Sequence, residues 1–235
     1  MKKLKSFIAL DLKSNTQNIN IVKKLYRHVY GFKVGYRSFY NNRSDGLISE
    51  IKKSKCKLFL DLKLHDIPNT VGCAIDSLSK INPDFLTLHI SGGKEMMKAA
   101  VNSIKKNKLK TKILGVTLLT SLDGKDSEKI YKEKNTSKLV KKFAEIANNL
   151  NIHGIICSGD DLKVLRKYNK LIKITPGVKM FARNDDQKRV TFAHNALQDG
   201  ASFVVIGREL IESKKPLDLL KKYGEQHKNK NLWTK

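Results

Sequence analysis

With 235 residues, of which 40% are hydrophobic, the chain has the length and apolar content of one large domain with a substantial core. No apolar run approaches the roughly 18 residues that a membrane-spanning helix needs, and the short run after the basic start ends at Asp11 without a small-residue cleavage site, so we expect neither a membrane segment nor a signal peptide. The formal net charge of +25 comes from lysines spread from end to end rather than clustered with aromatic residues, which favours Lys-rich helix surfaces over a nucleic-acid site.

Short apolar runs alternate with longer segments of helical periodicity along the chain. Eight such pairs in a chain of this length predict a (β/α)8 TIM barrel, a single domain of the α/β class over residues 1–235. A doubly wound open sheet is the structural alternative. For the basic tail at 225–235, packing on the barrel exterior and flexibility both stay open. The predicted strands are 7–10, 31–34, 58–62, 85–88, 113–118, 154–157, 172–175 and 203–206, and predicted helices include 19–30, 96–104, 139–150 and 217–223.

Seven of the eight predicted strands end in distinctive polar or Gly-rich segments, and the sixth end, at 157–160, is less distinctive. In barrels of this kind the active site lies at the C-terminal ends of the strands. Asp11, Lys33, Asp61 and Lys63 end the first three strands and would form an alternating array of charges at the barrel mouth. A structural Asp–Lys pair is the plainer interpretation of any one strand end, but the repetition at successive ends favours a site.

The segment at 57–70 concentrates these charges. In a strand, side chains two apart share a face, so Asp61 and Lys63 would lie together, opposite the neighbouring leucines. Asp66 follows in a loop closed by Pro68. Charges at the end of an apolar strand are costly to bury unless they are paired or used.

The last two strands suggest a phosphate site. Gly207 and Arg208 follow the eighth strand at the expected start of a helix, where backbone N–H groups and a guanidinium can bind an anion. The polar segment at 176–188 follows the seventh strand and resembles a lid that closes on a phosphate. The structural alternatives are an ordinary tight turn at 207–208 and a solvated loop at 176–188.

The cysteines and histidines indicate no metal site. Cys56, Cys73 and Cys157 are odd in number and share no metal-type spacing, which favours a reduced, cytoplasmic setting. His28, His153, His194 and His227 show no ligand-like grouping either.

In order and spacing, these segments resemble the orotidine 5′-phosphate decarboxylase family over nearly the whole chain. The segment Leu-Asp-Leu-Lys-Leu-His-Asp-Ile-Pro-Asn-Thr at 60–70 fits the family pattern Asp-x-Lys-x-x-Asp-Ile-Pro-x-Thr at every fixed position. Supporting segments occur at 9–11, 32–35, 89–93, 116–121, 175–177, 186–189 and 206–208.

The resemblance implies a homodimer of (β/α)8 barrels that converts orotidine 5′-phosphate (OMP) to UMP and CO2, the last step of de novo pyrimidine biosynthesis. It implies no metal and no organic cofactor, and no nucleic-acid or membrane partner. Carried over residue by residue, Asp11 and Lys33 would hold the ribose hydroxyls. Asp61 would lie beside the substrate carboxylate, and Lys63 would protonate C6 as CO2 leaves. Lys33, Asp61, Lys63 and Asp66 would form the catalytic set.

Four more positions carry over from the same motifs. Asp66, Ile67 and Thr70 would enter the active site of the neighbouring subunit. Thr120 would touch the pyrimidine edge.

This sequence matches the phosphate-binding positions of the family only in part. Gln187, Gly207 and Arg208 match the family pattern, but the arginine that usually follows Thr-Pro-Gly-Ile is replaced here by Lys179, and the loop to Gln187 is one residue short. A lysine supplies charge without a bidentate fork. Either Lys179 or Arg183 would therefore complete the phosphate site.

Two other functions stay open. The Mg²⁺-dependent sugar-phosphate decarboxylases and aldolases share the Asp-x-Lys-x-x-Asp motif, but they place an acidic metal ligand at the end of strand two, where this chain has Lys33. From a different class, a polyanion-binding or RNA-binding protein would use the strong basic charge.

Overall fold

The computed structural model describes residues 2–41, 44–182, 191–227 and 232–234. Strands and helices alternate along the chain except between β6 and β7, where the described residues 157–171 form turns instead of the helix that eight strand–helix pairs predict. The strands are β1 Leu4–Ala9, β2 Val29–Gly35, β3 Lys57–Leu64, β4 Phe85–His89, β5 Lys112–Val116, β6 Gly154–Ile156, β7 Ile172–Thr175 and β8 Phe203–Ile206. The helices are α1 Asn15–Leu25, α2 Tyr36–Phe39, α3 Ser44–Lys53, α4 Pro68–Leu78, α5 Gly93–Lys106, α6 Gly124–Tyr131, α7 Thr136–Asn149, α8 Ala193–Gln198, α9 Arg208–Ile211 and α10 Pro216–Gln226, with a 3-10 helix at Ile90–Gly92.

The strands join in chain order into one closed barrel, in which β8 pairs with β1. Neighbouring strands run parallel, as in the pairs β1 with β2 and β2 with β3. Parallel neighbours cannot be joined by a tight two-residue turn, so a helix, or the 15-residue turn segment at 157–171, returns the chain to the start of the next strand. The predicted (β/α)8 barrel is confirmed, and the doubly wound open sheet is wrong.

The predicted helix at 19–30 is wrong at its C-terminal end. Helix α1 begins after Ser14, whose hydroxyl accepts a hydrogen bond from the Thr16 N–H, and ends at Leu25. Val29 and Tyr30 belong to β2 instead, and Val29 pairs with β1. β-branched and aromatic residues favour strands, so a helical spacing that includes them does not decide the boundary.

Residues up to 61 and those from 175 onward form one compact unit. Its strands share an aromatic layer, which consists of Phe7, Tyr30, Phe59 and Phe203. The Phe7 ring meets the rings of Tyr30, Phe59 and Phe203 edge-on at centroid distances of 5.4, 5.3 and 5.6 Å. Gly31 makes room for it, because a Cβ there would lie 2.7 Å from the Phe7 ring and 2.3 Å from a backbone oxygen.

The last described residues of the chain pack against the start of β1. The Lys5 N–H donates to the Leu232 carbonyl, and the Thr234 N–H donates to the Lys3 carbonyl, each at 2.8 Å. Trp233 lies against Gly224 of α10, where a Cβ would come within 2.9 Å of the indole. Residues 232–234 of the basic tail therefore pack, while the flexibility and the limits of the whole tail stay predictions.

Residues 62–174 form the second compact unit. Helices α4 and α5 meet there through Asp76, whose carboxylate accepts hydrogen bonds from the Ser103 hydroxyl and the Asn107 amide. Both hydrogen bonds lower the pKa of the Asp76 carboxyl, and the bond from Ser103 has the larger effect. In the same unit, Gly115 of β5 leaves space for the side chain of Ile90.

Helices in the described ranges are all too short or too polar to cross a membrane.

Candidate active site

Three of the predicted site residues meet at the ends of β1, β2 and β3. The Lys33 Nζ lies 3.2 Å from Asp61 Oδ2 and 3.9 Å from Asp11 Oδ2. The parallel register brings them together, because Ala9 pairs with Lys33 and Gly35 pairs with Asp61. We call these three residues the Asp11–Lys33–Asp61 cluster.

The cluster is shielded unevenly from solvent. The side chains of Lys33 and Asp61 are only 11% and 12% exposed, whereas that of Asp11 is 42% exposed. Gly35 leaves space beside the ammonium, since a Cβ there would lie 3.2 Å from Lys33 Nζ and 3.6 Å from Asp11 Oδ1. A nearly buried ammonium needs such partners, because an unpaired buried charge is strongly destabilising.

The cluster forms one wall of a cavity of about 1090 Å³. The segment at 176–181, after β7, and the residues around α9, after β8, form its other walls. The charges that line it have both signs, with lysines and an arginine facing four carboxylates. These residues are Asp11, Lys33, Asp61, Lys179, Arg208, Glu209 and Glu212.

The predicted phosphate residues that the structure describes lie at this cavity. Lys179, Gly207 and Arg208 all line it. The backbone of Lys179 is held from one side, because its N–H donates to the Thr191 carbonyl and its carbonyl accepts from the Ala193 N–H. The other two predicted phosphate contacts, Arg183 and Gln187, lie outside the described residues.

Glu209 also lines the cavity, and sequence reasoning missed it. Its carboxylate accepts two hydrogen bonds, from the Met180 N–H at 2.6 Å and from the Phe181 N–H at 3.2 Å. One signal was available in the sequence: a carboxylate directly after Gly207-Arg208 opposes phosphate binding unless it has another use.

In the second unit, Lys63 has an unusual backbone. Its φ of 40° lies in the left-handed region, which costs a residue with a side chain on the order of 1–3 kcal/mol. Its N–H donates to the hydroxyl of Thr87 on β4 at 2.9 Å, and Thr87 is fully buried. The expectation that Asp61 and Lys63 share one face of the strand assumes extended backbone, and the φ of Lys63 is not extended. The shared face therefore stays a prediction.

The loop after β3 exposes the residues that the resemblance assigns to a neighbouring subunit. Asp66 and Thr70 are exposed, and the side chain of Ile67 is 65% exposed. The Asp66 carboxylate accepts from the Ile67 N–H at 2.7 Å, just before Pro68 begins α4. Thr120 is exposed in the turn after β5.

Four of the six histidines in the described ranges lie in two pairs. The rings of His65 and His89 lie 5.1 Å apart, and those of His194 and His227 lie 4.4 Å apart. Within the same ranges, groups of three or more histidine, cysteine or acidic side chains that could hold a metal ion are absent.

A closed (β/α)8 barrel with a charged cavity at the C-terminal ends of its strands defines an enzyme of the TIM-barrel class. The model of the orotidine 5′-phosphate decarboxylase / HUMPS family matches residues 5–223, so the chain belongs to this family. The resemblance read from the motifs is thereby confirmed.

Similar proteins cover nearly the whole chain. The orotidine 5′-phosphate decarboxylase of Erythrobacter litoralis is 38% identical over 89% of this chain and 93% of its own length. That of Staphylococcus saprophyticus is 36% identical over 96% of each chain. A crystal structure of the Lactobacillus acidophilus orotidine 5′-phosphate decarboxylase is 28% identical, covers 95% of this chain and 99% of its own, and has a TM-score of 0.78.

Proposed function

We propose that this protein decarboxylates OMP to UMP and CO2, the last step of de novo pyrimidine biosynthesis, in the cytoplasm and without a metal or organic cofactor. The carrying observation is the Lys33 ammonium between Asp61 at 3.2 Å and Asp11 at 3.9 Å. A divalent cation held by these carboxylates would meet that positive charge at close range. The similarity to named orotidine 5′-phosphate decarboxylases supports the same choice over a Mg²⁺-dependent relative.

In the proposed reaction, Lys63 is the general acid. The bond between C6 and the carboxylate carbon breaks, the electron pair stays on C6, and the Lys63 ammonium supplies the proton. A fixed positive charge stabilises the developing carbanion throughout. Asp61 lies beside the substrate carboxylate, and Asp61 and Asp66 keep Lys63 charged and oriented.

The rest of the substrate is held by residues that take no part in bond breaking. Asp11 and Lys33 bind the ribose hydroxyls, and Thr120 contacts the pyrimidine edge. Arg208 and the Gly207 backbone bind the phosphate together with Lys179, and all three residues line the cavity. Gln187 and Arg183 complete the phosphate site in this proposal. Binding energy from the phosphate can then contribute to stabilising the transition state.

We propose a homodimer in which Asp66, Ile67 and Thr70 reach the neighbouring active site. Ile67 is a largely exposed apolar side chain, as a residue covered by a partner would be. In the first unit, the stacked rings of Tyr36 and Tyr40 are also exposed.

Mixing inactive subunits tests this exchange of residues. Lys63→Ala and Asp66→Ala homodimers are each expected to be inactive, but a mixed dimer has one site with both defects and one with neither. Activity should therefore return on mixing. If subunit exchange is demonstrated and activity stays absent, Asp66 acts within its own subunit.

A spectrophotometric assay with OMP, with and without EDTA, tests the activity itself. We expect turnover that EDTA does not abolish. Loss of activity on chelation would overturn metal independence and favour the sugar-phosphate relatives. Tight, salt-sensitive RNA binding without OMP turnover would instead favour the polyanion-binding alternative.

A further inference from the structure

We infer that Glu209 is a positioning residue that holds the segment at 176–181 in place, so that Lys179 and Arg208 can bind one phosphate group. The inference rests on the proposed function and adds a residue to its phosphate site. In the proposed reaction Glu209 takes no part in bond breaking or proton transfer, and it acts through the backbone of its neighbours.

The contacts of Glu209 are directional. One carboxylate oxygen accepts from the Met180 N–H at 2.6 Å and the other from the Phe181 N–H at 3.2 Å. These residues directly follow Lys179, and Glu209 directly follows Arg208. The carboxylate therefore links the two cavity walls that carry the proposed phosphate ligands.

Other contacts hold the same segment from different sides. The backbone of Lys179 bonds to Thr191 and Ala193. The Phe181 ring packs edge-on against Tyr223 at a centroid distance of 5.7 Å. These contacts fix how the segment sits on α8 and α10, but they do not reach α9, which begins with Arg208. Glu209 provides that link.

The negative charge of Glu209, taken by itself, predicts that this residue weakens phosphate binding. A carboxylate in a cavity that receives a phosphate dianion weakens binding by repulsion. Glu212 lines the same cavity and carries the same charge, so it is a matched control. Removing Glu212 should leave phosphate binding unchanged or slightly stronger. Removing Glu209 should weaken it, because two charge-assisted hydrogen bonds to the segment are lost as well.

The test compares two substrates in Glu209→Ala, Glu209→Gln and Glu212→Ala. For OMP, Glu209→Ala should raise KM by about tenfold or more, because small displacements of binding groups have large effects. For orotidine, which lacks the phosphate, kcat/KM should change by less than about twofold. Glu209→Gln keeps one acceptor and should fall between Glu209→Ala and the unaltered protein. Glu212→Ala should not raise KM.

Inorganic phosphate provides a second readout that does not need turnover. Its binding, measured by calorimetry, should weaken in Glu209→Ala and not in Glu212→Ala. The inference is overturned if Glu209→Ala binds phosphate as well as Glu212→Ala does, or if folded Glu209→Ala loses as much activity on orotidine as on OMP. A parent protein that does not decarboxylate OMP would refute the proposed function instead, and the phosphate measurement would still test Glu209.

Discussion

The aromatic layer and the Asp11–Lys33–Asp61 cluster lie on the same strands of one compact unit, only two to four residues apart. Phe59 belongs to the layer and Asp61 to the cluster, and Phe7 of β1 precedes Asp11, which lies just after the end of β1, by four residues. On β3 the two residues are two apart and share a face of the strand, so this strand carries an apolar contact at one level and a charged group at the next.

The difference between the two levels is energetic. The rings of the aromatic layer gain free energy from burial and from edge-on packing. The cluster holds charges largely away from water, which costs free energy that their mutual attraction only partly offsets. We infer that the layer stabilises the strands whose ends carry charges suited to catalysis rather than to stability.

The largest effect is expected from substituting Lys63, near the C-terminal end of β3. Lys63→Ala should lower kcat for OMP by at least about 10⁴-fold, since it removes the proposed proton donor together with its positive charge. The melting temperature should stay close to that of the parent. Lys57→Ala removes the same charge from the start of the same strand and should stay active. Substantial residual kcat in Lys63→Ala would refute the assigned role.

The comparison is sharpest between Phe59 and Asp61. Phe59→Ala should lower the free energy of unfolding by about 3–5 kcal/mol, because it leaves a cavity in the aromatic layer, while turnover per folded molecule persists. Asp61→Asn should lower kcat about 100-fold with a smaller change in stability.

Urea denaturation and steady-state kinetics on both variants provide the check. Phe59→Leu serves if the alanine variant does not fold. If both variants lose stability and turnover to the same extent, the aromatic layer and the cluster do not serve stability and catalysis separately.

A smaller effect is expected at Thr87, which holds the backbone of Lys63. Thr87→Val keeps the shape but loses the hydroxyl that accepts the Lys63 N–H, so kcat should fall about tenfold while KM for OMP changes little. Thr87→Ser keeps the hydroxyl and should recover most of the activity. If Thr87→Val keeps the kcat of the parent, or if Thr87→Ser is as impaired as Thr87→Val, the hydrogen bond to the Lys63 N–H does not have this role.

The smallest effect on activity is expected at Trp233. Trp233→Ala removes the indole that packs on Gly224, so the free energy of unfolding should fall by about 1–3 kcal/mol. Thermal unfolding measures that loss, and OMP kinetics should match the parent. A large fall in kcat at unchanged stability would connect this end of the chain to the site in a way that the contacts do not indicate.

Local sequence patterns were sufficient for the fold and for part of the candidate site. The alternation of apolar runs and helical segments predicted the barrel, because both periodicities act over a few residues. The charged strand ends predicted that Asp11, Lys33 and Asp61 would lie together, since parallel strands bring their carboxyl ends to one edge. The pattern failed at the end of α1, where Val29 and Tyr30 have the spacing of a helix but pair as a strand.

Only the tertiary structure decided the contacts between residues distant along the chain. Thr87 follows Lys63 by 24 residues, and Glu209 follows Met180 by 29. A threonine inside a buried strand looks ordinary in the sequence, and the position of Glu209 after Gly207-Arg208 indicates a special role without indicating its partner. Their partners depend on strand register and loop path, which the packing of the whole chain determines. The amino-acid sequence thus determined the barrel and the charges at its strand ends. The fold decided which side chains hold the backbone beside the site in place, because hydrogen bonds require proximity that no local period encodes.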